Sequence, residues 1–257
     1  ILGVAMFACA MMTDSWPLYD HWLPEDISTD GATIDGLFNF ILVLTGIIFI
    51  GTSLALFWFL WKYDAAKNPE PVKFTHGSHT LEIIWSILPA VTLLFIAIYQ
   101  MNAWANAKLD RPMLADGVTV MPPLAEVTGR QFEWRIRYPG ADGLLNTPDD
   151  LFDVNELHVP MDEPVVLRIQ SEDVLHSFFL PNMRIKQDVV PGMRQHVWFK
   201  AIKDGEYDIV CAELCGWGHY KMKGRLHVET RKDFDKYIEN LTLTQNQSEF
   251  TPDSGAE

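Results

Sequence analysis

The chain has 257 residues, 48% of them hydrophobic, with 34 acidic against 20 basic side chains and a formal net charge of −14. That length allows one ample core with segments to spare, and that charge argues against nucleic acid as a partner. Three cysteines, Cys9, Cys211 and Cys215, exclude a disulfide scaffold, and the lack of a Cys-x-x-Cys-His excludes a covalently attached c-type heme.

In chain order, residues 1–12 are apolar throughout but too few to cross a hydrocarbon layer that needs about 20. They fit the outer end of a third membrane helix, the remains of a signal sequence, or a lipid-anchored start at Cys9. From Thr13 to Asp35 there are six acids, no lysine or arginine, and two helix-breaking prolines, Pro17 and Pro24. This composition predicts a solvated, non-cytoplasmic segment. Leu37 to Trp61 then runs 25 positions without a charge, which as a helix measures about 37 Å and spans a bilayer with some tilt. Trp58 and Trp61 sit near one end, where aromatic rings favour the interface. A polar loop from Lys62 to Thr80 carries Lys62, Lys67 and Lys73, and a second apolar stretch follows from about Leu81 to Trp104. Pro89 within it is tolerable in a membrane, where neighbouring groups satisfy the freed carbonyl. The lysines put the loop in the cytoplasm and everything after Trp104 outside. Residues 36–104 therefore read as a transmembrane helical hairpin, preceded by an apolar and acidic segment at 1–35.

The exterior part reads as all-β. Short β-branched or aromatic runs at 118–120, 132–138, 156–159, 165–170, 195–200, 207–210 and 225–229 are separated by turn signals such as Pro122-Pro123, Pro139-Gly140, Pro191-Gly192 and Asp204-Gly205. Seven or so strands predict a β-sandwich or Greek-key barrel over 105–230. Arg231 to Asn240 has helical spacing and the tail from Thr244 is polar, so 231–257 reads as a C-terminal helix and a disordered end. No internal repeat is visible.

The chemistry is concentrated in residues 211–222, Cys-Ala-Glu-Leu-Cys-Gly-Trp-Gly-His-Tyr-Lys-Met. Two thiols, an imidazole and a thioether at Cys211, Cys215, His219 and Met222 form a set suited to copper electron transfer, since zinc rarely recruits methionine. A Cys211–Cys215 disulfide, a structural zinc site, or residues merely in a core or on a surface are the competing readings. A further imidazole is wanted from upstream, with His158, His176 and His196 as candidates. His176 stands out because apolar residues flank it and Pro181 follows.

Three segments carry a family resemblance: Val174-Leu-His-Ser177, Lys186-Gln-Asp-Val-Val-Pro-Gly192 and the loop 211–222. Together with Leu81-Glu-Ile-Ile-Trp-Ser-Ile-Leu-Pro-Ala90 in the hairpin, they resemble subunit II of bacterial cytochrome c oxidase over roughly residues 36–230. The resemblance implies a cupredoxin-like exterior domain with a pair of coppers bridged by the sulfurs of Cys211 and Cys215. His176 and His219 would each bind one copper, Met222 would bind one, and the Glu213 carbonyl would bind the other. Sharing the electron over both coppers keeps bond lengths nearly constant on reduction.

The same resemblance implies that the Glu213 side chain reaches a magnesium or manganese ion at the boundary with the catalytic subunit. Asp188 lies near that boundary, with a structural or water-organising role. Glu82 would help protons into the catalytic subunit, and Glu172 and Asp173 would face the donor. The family's donor-facing aromatic segment is represented by Phe132-Glu133-Trp134, where many relatives have Trp-Tyr-Trp, so Phe132 and Trp134 are the candidate electron-input residues with Phe132 an altered one. The acidic loop 140–153 reads as a solvated surface, with a calcium site as the alternative.

The expected function is to take electrons from a cytochrome c-type donor, free or tethered in a supercomplex. They would pass to heme in a partner subunit I, with subunit III alongside, in a proton-pumping oxidase of the bacterial inner membrane. Its copper domain would stand on the periplasmic side. The competing classes are a nitrogen-oxide reductase with the same copper domain and a copper-delivery protein without a catalytic partner. A quinol-oxidising relative is disfavoured because the copper ligands are all present.

Overall fold

The computed structural model describes residues 23–71, 74 and 76–247. The expectations for residues 1–12, Cys9 and Lys73 lie outside the described residues. The described residues divide into two compact units, one within 33–105 and the other comprising residues 23–32 and 106–247.

In the first unit, α1 (Gly31–Lys62) and α2 (His79–Tyr99) are, among the described residues, the two helices long and apolar enough to cross a membrane, and none of the residues in their most apolar windows is buried. An apolar surface on all sides has no core to enter, and a bilayer is the solvent that accepts it. Their threonine hydroxyls turn inward: Thr45 donates to the Ile41 carbonyl at 2.8 Å, Thr52 to Ile48 at 2.9 Å and Thr92 to Leu88 at 2.8 Å. These three hydroxyls are thus paired within their own helices in an apolar setting. Phe40 of α1 meets Phe95 and Tyr99 of α2 at ring-centroid distances of 6.3 and 5.9 Å, so the helices form the expected hairpin. Lys67 lies 5.1 Å over the ring of Trp61 at its lysine-bearing end. The second span is shorter than the apolar run to Trp104 suggests. It ends at Tyr99 with Gln100 as its cap, and a short helix α3 (Met101–Lys108) follows, because the polar Gln100, Asn102 and Asn106 interrupt the apolar pattern.

The second unit is a two-sheet sandwich. Strands β1 (Ala125–Arg130), β2 (Glu133–Tyr138), β3 (Leu151–Val154), β5 (Pro164–Ser171) and β8 (Gln195–Lys200) form one sheet in the order β3-β2-β1-β5-β8. The other contains β4 (Glu156–Pro160), β6 (His176–Leu180), β7 (Ile185–Val189), β9 (Gly205–Cys211) and β10 (Lys223–Glu229), in the order β4-β10-β9-β6-β7. Alternate residues point inward, so Val127, Trp134, Ile136, Leu167 and Ile169 from one sheet meet Leu157, Phe178, Leu180, Ile209 and Leu226 from the other in one core. The parallel pairs β1–β5 and β4–β10 arise because consecutive strands switch sheets.

Three readings of the sequence need correction. Residues 118–120 form no strand: Val120 makes only an isolated bridge to Met113, across a turn capped by the Asp116 carboxylate, which accepts from the Val118 and Thr119 amides. The acidic segment is not solvated throughout. Ile27 is fully buried, its amide donates to the Asn182 carbonyl at 3.1 Å, its carbonyl accepts from Ile202 at 2.8 Å, and Ser28 bridges Ala201. One apolar side chain and an edge-strand backbone are enough to fasten this segment to the sandwich. The C-terminal helix α4 spans Arg231–Gln247 and so includes Thr244, where the polar tail was expected to begin, and Phe234 enters the core on its inner face.

Candidate metal centre

Strands β9 and β10 are antiparallel neighbours, and residues 212–222 close the end between them. The Cys211 amide donates to the Met222 carbonyl at 3.1 Å, which puts the first and last candidate ligands side by side. Strand β6 lies on the other side of β9, and the Ala212 amide donates to the Ser177 carbonyl at 3.0 Å, so His176 comes to the same end.

The donors converge. The Cys211 and Cys215 sulfurs are 3.9 Å apart, far beyond a disulfide bond of about 2.05 Å, so the two thiols are free. His176 Nδ1 lies 3.9 Å from the Cys211 sulfur and the Glu213 carbonyl oxygen 3.3 Å from it. On the other side, His219 Nδ1 and the Met222 sulfur each lie 3.7 Å from the Cys215 sulfur. Contacts of this length match the edges of a tetrahedron built on metal–ligand bonds of about 2.0–2.3 Å. The two histidines serve opposite sulfurs. His176 is 0% exposed, and Cys211, Cys215 and Met222 are buried with it.

Burial raises the Cys211 thiol, but contacts from His176 and from the Ser177 and Glu213 backbones outweigh it and hold that thiol down, at about 6. Burial, and then the charge on Cys211, push Cys215 up to about 12. Two thiolates this close need a cation between them, and the donor chemistry of two sulfurs, two imidazoles and a thioether fits copper better than zinc.

Around the donors, Asp173 accepts from His176 Nε2 at 2.8 Å, which leaves the Nδ1 lone pair facing the sulfur. Asp173 itself is fixed by the Gln131 and Val174 amides, at 2.8 and 2.6 Å. It is therefore turned inward to His176. Glu172 is the more exposed of the pair, yet it lies 4.0 Å from Arg130 and 3.5 Å from Arg135. Trp134 is fully buried, with its ring 6.0 Å from that of His176 and 5.3 Å from that of Phe178. Gly129 in β1 makes room for this stack, since a Cβ there would meet the His176 ring at 3.0 Å and Trp134 at 3.2 Å.

Phe132 is half-buried and packs edge-to-face on Trp217 at 5.1 Å, and Trp217 is 81% exposed on the ligand loop itself. Gln131 donates to the Cys215 carbonyl at 2.5 Å. Trp217 and Gln131 were not recognised in the sequence. Trp217 reads there as a spacer between ligands, and its one signal is a large aromatic between two glycines in a loop. Glu213 is half-buried, and its carboxylate makes no hydrogen bond or ion pair among the described residues. Asp188 pairs in register with Ser177 and bonds Lys186 at 2.8 Å, and the Lys186 ammonium holds its carboxyl below the usual range. Glu82 stands in the first turn of α2, 3.6 Å from His79. Of the other candidate histidines, His196 contacts Arg111 at 3.1 Å and His158 lies on β4, away from the loop. In the acidic loop, Asp150 is 3.6 Å from Arg137 and accepts from the Asn146 amide at 2.7 Å.

The chain is similar in sequence to proteins of one family. Residues 127–228 match the family profile of cytochrome C oxidase subunit II, periplasmic domain, and residues 15–103 match that of its transmembrane domain. The alternative cytochrome c oxidase subunit 2 of Bradyrhizobium diazoefficiens is 30% identical over 250 residues, covering 86% of this chain and 85% of that protein. Cytochrome c oxidase subunit 2 of Synechocystis is 27% identical over 282 residues, covering 93% of this chain and 80% of that one. Among solved structures, the periplasmic domain of subunit II of cytochrome oxidase from Bradyrhizobium japonicum shares 28% identity at a TM-score of 0.42, over 47% of this chain and 93% of that chain.

Proposed function

The chain belongs to the cytochrome c oxidase subunit II family, and on that premise we propose that its exterior unit is where electrons from a cytochrome c-type donor enter a proton-pumping oxidase of the bacterial inner membrane. It is a subunit of a heme-copper oxidase complex, with two candidate membrane helices among its described residues and an exterior β-domain. The observation that carries the proposal is the convergence of Cys211, Cys215, His176, His219, Met222 and the Glu213 carbonyl at one end of the sandwich. With two coppers bound, this centre accepts and releases one electron.

The protein's own contribution is rigidity. Strands β6, β9 and β10 hold donors at their ends, Asp173 fixes the tautomer of His176, and burial excludes water from the sulfurs. Electron input runs through the Trp217–Phe132 pair, in which the exposed ring lies on the ligand loop and Phe132 packs beneath it. Trp134 is too deep to touch a donor and supports His176 instead. The Glu213 carboxylate is left to bind magnesium or manganese shared with subunit I, with subunit III completing the complex. Glu82, at the lysine-bearing end of the hairpin, contributes to proton uptake. Because Glu172 is already spanned by two arginines and Asp173 is turned inward, acidic steering at this edge is weak. That suits a tethered donor better than one captured by charge.

Stopped-flow reduction of the assembled oxidase by a reduced c-type cytochrome tests the reading. The copper band should change before the heme, and Cys215→Ser should abolish heme reduction by this donor. Heme reduction at the parent rate in that variant would contradict it. Insensitivity to salt supports a tethered donor, and a rate falling steeply with salt supports a diffusing one.

A further inference from the structure

The candidate ligands are not anchored equally. Cys211 closes β9 with its amide on the Met222 carbonyl, and His176 opens β6, so strand pairing fixes both. Cys215 belongs to no strand. Past Ala212 the loop is bonded to itself: the His219 amide donates to the Gly216 carbonyl at 3.1 Å and the Lys221 amide to the Gly218 carbonyl at 2.9 Å. Among the described residues, one hydrogen bond from outside residues 211–222 reaches the backbone between Glu213 and Lys221. It runs from Gln131 Nε2 to the Cys215 carbonyl at 2.5 Å, between residues 84 apart in sequence.

Gln131 lies in the turn between β1 and β2, and the loop makes room for its amide. Gly216 has a φ of 135°, which side-chain-bearing residues rarely adopt, and a Cβ there would stand 2.7 Å from Gln131 Nε2. Phe132, next in the turn, lies against Gly216 and Gly218, where a Cβ would meet its ring at 3.2 and 2.5 Å. The main chain of Gln131 serves the other side of the centre. Its amide donates to Asp173 Oδ2 at 2.8 Å, and Asp173 Oδ1 accepts from His176 Nε2 at 2.8 Å. One residue thus reaches Cys215 directly and His176 through a single carboxylate. A donor on the Cys215 carbonyl fixes the peptide plane that follows Cys215 and, with it, the direction in which the sulfur points.

We infer that Gln131 is a positioning residue of the metal centre: its side chain sets the Cys215 sulfur against that of Cys211, and its amide holds the His176 ring through Asp173. The inference rests on the reading of these residues as copper ligands. Contacts one step behind the ligands orient them and tune the metal. Because the side chain touches Cys215 and not Cys211, its loss changes the two sides of the centre unequally.

The test uses the full chain in detergent, metal-free and copper-loaded, as parent, Gln131→Met and Gln131→Glu. Both substitutions keep the backbone amide on Asp173 and remove the side-chain donor at nearly unchanged length. In the metal-free chain, hydrogen exchange of the amides in residues 214–219 should quicken by up to about tenfold, the effect of one hydrogen bond, while β1 and β9 exchange as in the parent. In the copper-loaded chain, copper affinity should fall about tenfold. The paramagnetic resonance hyperfine pattern should become unequal between the two nuclei, and the reduction potential should shift. Glu133→Gln, beside the same turn but paired with Arg135, should match the parent in every readout. Parent-like exchange in the metal-free variants, or a parent-like hyperfine pattern and potential in the copper-loaded ones, would each overturn the inference. A parent chain that binds no pair of coppers would sink the copper reading instead, and the exchange measurement would still decide whether Gln131 holds the loop.

Discussion

Gly129→Ala adds one methyl group in the most crowded part of the sandwich. The new Cβ would stand 3.0 Å from Cδ2 and 3.2 Å from Cγ of His176... and 3.2 Å from Cζ3 of Trp134, and both side chains are fully buried. Neither can give way easily: Trp134 is backed by Phe178, and His176 is held through Nε2 by Asp173. Overpacking of this kind costs about 1–3 kcal/mol. At about 2–4 °C per kcal/mol for a unit of this size, the β-unit should unfold roughly 2–12 °C lower. The same push moves the His176 nitrogen relative to the Cys211 sulfur, so the copper spectrum should change as well. Thermal unfolding followed by circular dichroism, with optical and paramagnetic resonance spectra of the copper-loaded protein, reads both effects. Parent-like unfolding and an unaltered copper spectrum in Gly129→Ala would refute the claim that His176 is fixed by this packing.

Four further substitutions separate the roles assigned here. Asp173→Asn should weaken copper binding by about 10–100-fold in a competition titration, because the neutral amide no longer stabilises the His176 tautomer, whereas Glu172→Gln should leave copper affinity unchanged. Trp217→Ala should slow reduction by the donor while leaving the copper spectrum unchanged, and an unchanged rate would move electron input elsewhere. Ile27→Ala removes a fully buried side chain that fastens residues 23–32 to the sandwich and should cost about 2–5 kcal/mol in denaturant unfolding of the β-unit. A cost below that range would mean that the segment is held by its backbone bonds alone.

The hairpin and the cluster of metal-type donors in residues 211–222 were legible because their signals are local. A charge-free run of 25 residues and four soft ligands within twelve need no tertiary information, and β8 lies where the alternating Gln195–Lys200 pattern predicts it. What was missed depends on partners distant in sequence. Strand β1 contains Glu126 and Gly129, both poor strand signals. Glu126 is buried between Arg168 of β5, 42 residues away, at 2.5 Å and Arg137 of β2 at 3.8 Å, and Gly129 is there for His176. Strand β7, Ile-Lys-Gln-Asp-Val, lacks β-branched density and is held by pairing to β6. Ile27, between Asp26 and Ser28, gives no sign in the sequence that it enters a core. The assignment of Glu172 and Asp173 to one shared role failed to anticipate that adjacent residues on a turn face opposite ways, one toward arginines and one toward a ligand.

The central claim is a two-copper centre in which Cys211 and Cys215 are shared ligands. Its most direct test is the copper-to-protein ratio of the purified full chain, measured together with its paramagnetic resonance spectrum, in parent and Cys215→Ser protein. The account predicts two coppers per parent chain and a hyperfine pattern from one electron shared equally by both nuclei, lost on substitution of Cys215. One copper per chain with a single-nucleus pattern, or a spectrum that survives Cys215→Ser, would contradict it.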